Sequence, residues 1–222
     1  MKVKAAMFDM DGVLFDSMKN HAYAWHKTME HFGMDLPEWE AYMHEGRTGA
    51  GTINIVSRRE RGHEASEEEI EQIYDYKSRL FNKCPKAERM PWAGELLVKV
   101  QKSGITPMVV TGSGQKTLLE RLERNFPSIF RERLMVTAFD VRYGKPNPEP
   151  YLIGLDKAGV KASEAMVVEN APLGVQAGHA AGIYTLVLNT GPLPDAVLWD
   201  SGADCVLPSM QAFAEQADRF LA

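Results

Sequence analysis

The stretch Val3-Lys4-Ala5-Ala6-Met7-Phe8-Asp9-Met10-Asp11-Gly12-Val13 decides how the rest of the chain is read. A short, mostly apolar run from Val3 to Phe8 gives way at once to two carboxylates and a glycine. Such a run predicts a buried strand that delivers acids at its C-terminal end. Asp9 and Asp11 are two residues apart, so on an extended chain they point the same way and can share one pocket. Their repulsion calls for a cation or a shared proton. One carboxylate of such a pair can be a nucleophile and the other a general acid or base. Taken alone, the same residues also suit a plain turn.

Three more apolar runs follow, and each ends in polar residues. Thr106–Val110 leads into Thr111-Gly112-Ser113-Gly114, Ala165–Val168 into Glu169-Asn170, and Ile183–Leu188 into Asn189-Thr190-Gly191. Amphipathic helical patterns lie between them, over Gly94–Lys102, Lys116–Arg124 and Pro148–Lys157. Continuous apolar strands alternating with helices predict a doubly wound, Rossmann-like α/β core with a mostly parallel sheet covered on both faces. Ligands of such sheets bind beyond the strand ends, where these polar residues gather. The stretch from Asp16 to Cys84 reads differently. His21–Phe32 has a helical apolar stripe, Ser66-Glu67-Glu68-Glu69 is a capping box opening a helix to about Phe81, and no strand pattern is present. The expected organisation is a core of residues 1–15 and 86–222 with an all-helical cap inserted over 16–85, hinged near Asp16-Ser17 and Pro85.

The chain has 222 residues, 25 Lys and Arg against 30 Asp and Glu, and a net charge of −5. That size suits one domain with an insertion. The acidic balance argues against a nucleic-acid partner and against binding to anionic membranes. Two cysteines, Cys84 and Cys205, are too few for a disulfide scaffold or a structural zinc site. No apolar run approaches a membrane span. A cytoplasmic protein with reduced thiols, acting as a monomer, is the expectation. The four tryptophans, Trp25, Trp39, Trp92 and Trp199, are expected to pack in the core or at the cap interface.

The other strand ends carry candidate chemistry. Thr111, Gly112 and Ser113 offer a hydroxyl pair and exposed amides before a helix, which suits a phosphate or a simple turn. Lys145 lies in Gly144-Lys145-Pro146-Asn147-Pro148, a loop stiffened by prolines, and reads either as a site lysine or as a solvated charge. Glu169 and Asn170 supply oxygen ligands suited to Mg²⁺, although Asn170 could equally cap the helix that Pro172 begins.

These four elements, in this order, resemble the signature motifs of the haloacid dehalogenase superfamily of phosphotransferases. The helical insertion looks like the cap of its β-phosphoglucomutase-like subgroup. The resemblance implies that Asp9 attacks phosphorus to form an aspartyl-phosphate, and that Asp11 protonates the leaving group and then activates water. It implies that Thr111 and Lys145 hold phosphate oxygens, and that Mg²⁺ sits between Asp9, the Asp11 carbonyl, Glu169 and Asn170. One departure stands out. The subgroup has Glu-Asp where this chain has Glu169-Asn170, which removes a negative charge. Glu45, in the cap loop His44-Glu45-Gly46-Arg47-Thr48-Gly49, is placed to restore it on cap closure. A metal shared between core and cap leaves room for a small anion, with His21, Arg47, Lys77 and Gln115 near its leaving group. In this combination the chain looks like the bacterial inorganic pyrophosphatases built on this fold, so the expected substrate is pyrophosphate. The alternatives are a sugar-phosphate phosphatase or a β-phosphoglucomutase. A catalytically silent binding module is disfavoured, because Asp9, Asp11, Thr111 and Lys145 are all present.

Overall fold

The computed structural model describes residues 2–113 and 118–221. Its elements run β1 Ala5–Phe8, α1 Met18–His31, α2 Glu38–Ala41, α3 Gly49–Arg61, α4 Glu67–Lys83, α5 Ala93–Lys102, β2 Thr106–Val110, α6 Leu118–Asn125, β3 Met135–Val136, α7 Glu149–Ala158, β4 Ala165–Glu169, α8 Pro172–Ala180, β5 Tyr184–Leu188, α9 Asp195–Asp200, β6 Cys205–Leu207, α10 Met210–Glu215 and α11 Ala217–Leu221. The sheet has six strands in the order β3-β2-β1-β4-β5-β6, and every pairing is parallel. This is the doubly wound α/β core.

The alternation of side chains along β1 explains why its run has no polar face. Ala6 and Phe8 pack with α5, α6, α10 and α11, whereas Ala5 and Met7 pack with α7 and α8. Both faces are covered, so both sets are apolar. β1 lies at the centre of the sheet, between β2 and β4, and the strand order reverses beside it. The crevice at that switch point opens at the C-terminal ends of β1, β2 and β4. Asp9, Thr111 and Asn170 immediately follow those three strands.

Residues 18–83 form helices and turns with no strand among them, and they bury an apolar cluster of their own around Met29, Met34, Leu36, Ile53, Val56 and Ile73. The Ser66 capping box is formed in full, with Ser66 and Glu69 each bonding the other's backbone N–H. The chain leaves and re-enters the core side by side. Asp16 N–H donates to Glu88 O at 3.0 Å, and Met90 N–H donates to Leu14 O at 2.9 Å.

Three tryptophans depart from expectation. Trp39, Trp92 and Trp199 are exposed by 57%, 44% and 48%. Trp39 and Trp199 lie on short helices, and Trp92 immediately precedes α5; no further layer covers their outer sides. Trp25 does pack against the helical cluster. Cys84 and Cys205 are free thiols. No helix of the described residues is long and apolar enough to cross a membrane.

Ile73 is 1% exposed at the centre of the helical cluster. Ile73→Ala is expected to lower unfolding free energy by about 2–4 kcal/mol in urea denaturation, the range for a buried aliphatic truncation that leaves a cavity.

Candidate active site

The backbone after β1 turns so tightly that one position excludes a side chain. Gly12 has φ +82°, and a Cβ there would lie 2.1 Å from Asn170 Nδ2. Its N–H donates to Phe15 O at 2.7 Å, and its carbonyl accepts the Thr190 hydroxyl at 2.8 Å. The turn brings Asp9 and Asp11 into one crevice and leaves each with different partners.

Asp9 faces a buried ammonium. Lys145 Nζ lies 2.5 Å from Asp9 Oδ1 and 2.6 Å from Glu169 Oε1, and it also donates to Val110 O at 3.2 Å. Burial alone would lower the lysine, but Asp9 and Glu169 overcome that and raise it well above the ordinary value. Burial pushes the Asp9 carboxyl up to about 7; Lys145 pulls it down, while Glu169 and Asp11 add to the rise. Glu169 is fully engaged. Its Oε1 accepts from Lys145 and from the Tyr151 hydroxyl at 2.6 Å, and its Oε2 accepts the Asn170 N–H at 3.1 Å.

Asp11 faces α1. The Ser17 hydroxyl, just before that helix, donates to Asp11 Oδ1 at 2.5 Å, and His21 Nε2 lies 3.7 Å from the same oxygen. Burial would raise Asp11, but His21 and Ser17 outweigh it and hold the carboxyl at about 2. Lys77 Nζ lies 3.0 Å from His21 Nδ1. An ammonium can only donate, so Nδ1 accepts and the proton of the neutral imidazole sits on Nε2, facing Asp11. Burial lowers the His21 imidazole, while Asp11 works in the opposite direction. Lys77 stands among the rings of Phe81, Trp25 and Tyr74, at 4.9, 5.3 and 6.0 Å from their centroids. Burial brings its ammonium down to about 8.

The cap loop closes directly on the core. Gly46 has φ +82°, and a Cβ there would lie 2.9 Å from Lys145 Cδ. Asn170 Nδ2 donates to Glu45 Oε2 at 3.0 Å. A carboxylate only accepts, so this bond fixes the amide and turns Asn170 Oδ1 the other way. Asn170 Oδ1 and Glu45 Oε1 are both buried with no hydrogen-bond partner. Burial raises Glu45 well above its ordinary value, and Asp9, Asp11 and Glu169 raise it further. Two orphaned oxygens beside crowded carboxylates are the donor set that a hard divalent cation satisfies. Among the described residues, no three His, Cys, Asp or Glu side chains gather as a ready-made ligand shell, so the fit rests on those orphaned oxygens.

The structure therefore brings together Asp9, Asp11, Lys145, Glu169, Asn170, Glu45, His21 and Lys77. Thr111 is buried at the end of β2, and its Oγ1 accepts the Ser113 N–H at 3.1 Å. Gly112 lies beneath the Gly46 carbonyl. Arg47 has no hydrogen bond or ion pair to this cluster among the described residues. Its side chain lies along the start of α3 near Gly51, with Nε buried and unpartnered. Gln115, with Gly114 and the expected helix start at Lys116, falls outside the described residues. Sequence reasoning did not single out Ser17 or Tyr151 as site residues. Tyr151 does lie in the loop-and-helix stretch after Lys145, but only its burial against Glu169 reveals a role.

The profile of the haloacid dehalogenase-like hydrolases matches residues 6–188. The chain belongs to that family. A solved structure from Bacteroides vulgatus, provisionally named a β-phosphoglucomutase, is 65% identical with a TM-score of 0.94, over 98% of this chain and 88% of that one. Within the family the chain is therefore β-phosphoglucomutase-like. Hexitol phosphatase A of Escherichia coli (strain K12) is 30% identical over 190 residues, 85% of this chain and 84% of its own length. The phosphorylated carbohydrates phosphatase of Thermotoga maritima is 29% identical over 181 residues, 82% of each chain. None of these three names is that of an inorganic pyrophosphatase, so the expected resemblance to that group gains no support from them.

Lys77 supplies a stability test. Its folded value, about 8, lies below the 10.5 of an unperturbed lysine, so the unfolded chain binds more protons between those values. Stability should therefore rise with pH across that window. Lys77→Met removes this dependence. Relative to the variant, the natural protein should gain about 2–3 kcal/mol between pH 7.5 and 10.5, read from urea denaturation at both pH values.

Proposed function

We propose that the chain is a Mg²⁺-dependent phosphohydrolase of small phosphorylated molecules, with Asp9 as nucleophile and Asp11 as general acid and base. The observation that carries this is the contrast between the two carboxylates: Asp9 is held by Lys145 at 2.5 Å, and Asp11 by Ser17 at 2.5 Å beside His21. Lys145 occupies Oδ1 of Asp9. Among the described residues nothing hydrogen-bonds Oδ2, which is the oxygen presented to phosphorus. Attack forms an aspartyl-phosphate and breaks the bond to the leaving oxygen; Asp11, ionised beside Ser17 and His21, serves that oxygen as the acid after taking up a proton from solvent when the anionic substrate enters. Asp11 then accepts a proton from the water that cleaves the aspartyl-phosphate. The Thr111 hydroxyl and the Gly112 amide hold the phosphoryl oxygens, and the Lys145 ammonium, whose N–H groups go to Asp9, Glu169 and Val110, offsets their charge.

Asp9, Glu45, Asn170 and the Asp11 carbonyl would hold Mg²⁺, with Glu169 orienting Lys145 and the Asn170 backbone. The ion supplies charge neutralisation at the phosphoryl group and lets an anionic nucleophile approach it. Residues 16–85 act as a cap over residues 1–15 and 86–222. The hydrogen-bonded segments Leu14–Asp16 and Glu88–Met90, beside the expected hinges at Asp16-Ser17 and Pro85, connect the two parts.

For the substrate, the named activities of the relatives favour phosphorylated sugars and polyols over the pyrophosphate expected from the motifs. One observation keeps pyrophosphate as a second reading. Glu45 enters the crevice and bonds Asn170, while Gly46 touches Lys145, so the closed cap leaves little room for an organic group. A mutase would have to grip a second sugar phosphate. The stem of Arg47, the cap-loop arginine, lies against Gly51 of α3, and among the described residues it makes no hydrogen bond or ion pair to the cluster.

Phosphate release with Mg²⁺ from a panel of hexose, hexitol and glycerol phosphates and pyrophosphate tests the proposal. Asp9→Asn is expected to abolish release on every substrate, and unchanged release would remove Asp9 from the mechanism. Glu45→Ala separates the two substrate readings. If pyrophosphate is the substrate, its kcat/KM should fall about 10–100-fold more than that of a hexose phosphate. Equal losses favour the sugar phosphates.

A further inference from the structure

The two ends of the crevice are built from different groups. Around Asp9 the carboxyl groups of Glu45 and Glu169 crowd the single ammonium of Lys145. Around Asp11 two cations stand near one carboxylate. One is Lys77, reaching in from α4 behind His21. The other is Arg121, on α6 of the core, which the sequence analysis does not single out.

Arg121 is held in place by an aromatic ring. Its guanidinium carbon lies 3.8 Å from the centroid of Phe15. Phe15 is fully buried, packs edge-on against Phe126 at 5.6 Å between centroids, and is bridged to Asp11 through the turn at Gly12. The guanidinium is thereby fixed relative to Asp11. Its charge acts on both neighbours and helps to lower Asp11 and His21. Among the described residues, neither Arg121 nor Lys77 forms an ion pair with a carboxylate. A guanidinium stacked on a ring keeps its edge N–H groups free for a planar or tetrahedral anion.

Building on the phosphohydrolase reading, we infer that Arg121 is a specificity-determining residue that, with Lys77, holds an anionic group on the leaving side of the substrate. The preferred substrate then carries a second negative centre beyond the phosphoryl group that Asp9 attacks. Asp11 protonates the leaving oxygen, so groups beside Asp11 meet the leaving group and not the transferred phosphoryl. Inorganic pyrophosphate and a bisphosphorylated sugar share this chemistry. A sugar monophosphate, whose leaving group is a neutral alcohol, lacks it.

The test compares the natural protein with Arg121→Met and Arg121→Lys, using Mg²⁺ and four substrates: pyrophosphate, fructose 1,6-bisphosphate, fructose 1-phosphate and glycerol 1-phosphate. The natural protein should prefer at least one of the first two. Arg121→Met should lower that preference, measured as a ratio of kcat/KM to the monophosphates, by about tenfold, mainly through KM. Arg121→Lys should restore part of it. A response on pyrophosphate alone or on the bisphosphate alone identifies which source the site takes, and either supports the inference. Equal losses on all four substrates, or a natural protein that cleaves only monophosphates, overturns the inference and leaves the phosphohydrolase reading intact. No release from any substrate overturns both. Thermal melting checks folding. If Arg121→Met does not fold, Arg121→Gln, which keeps a planar group over Phe15 without its charge, is judged by the same ratio.

Discussion

Lys145 buries a positive charge between Asp9 and Glu169, with 2% of its side chain exposed. Four separate chain segments meet there: the end of β1, the end of β2, the loop before α7 and the end of β4. An ammonium removed from water so completely is tolerable only when several acceptors surround it. Two carboxylates and the Val110 carbonyl provide them. The dependence is mutual. Without the lysine, two buried carboxylates would face each other across adjacent strands. Tyr151 extends the same network into the core, since its hydroxyl donates to the Glu169 oxygen that also receives Lys145. Sheet, loop and site are thus ordered by one set of charge-assisted bonds.

The cap loop depends on that set as well. Gly46 can settle against the Lys145 stem because it has no side chain, and this contact carries Glu45 to Asn170. The amide at position 170 has a specific consequence. An aspartate there would repel Glu45, whereas an asparagine donates to it and turns its own oxygen elsewhere. The charge lost from the core motif and the charge gained from the cap therefore meet in a single hydrogen bond.

Much of this was legible in the sequence. β1, β2, β4 and β5 announce themselves because both faces are buried and their runs are continuously apolar, and the α4 capping box is a local pattern. Two strands were not legible. β3 has two residues and β6 three, too few to show any period. The helix expected from His21 begins at Met18, after a Ser17 whose hydroxyl serves Asp11 instead of capping the helix. At the site, the four motif positions were readable from their order along the chain. Tyr151 and Arg121 were not, because what gives each its place is a contact with a residue far along the chain, Glu169 and Phe15. The exposed Trp39, Trp92 and Trp199 show the converse error, in which residue type suggested burial that no neighbouring layer supplies.

The aromatic enclosure of Lys77 has an optical side. Its ammonium lies 5.3 Å from the centroid of the Trp25 ring, and Trp25 is packed against the helical cluster while the other three tryptophans are open to solvent. An indole's emission responds to the electric field across its ring, and a packed indole is sheltered from quenchers dissolved in water. Trp25 is thus a built-in fluorophore whose colour follows the charge beside it, one lysine and one imidazole away from Asp11.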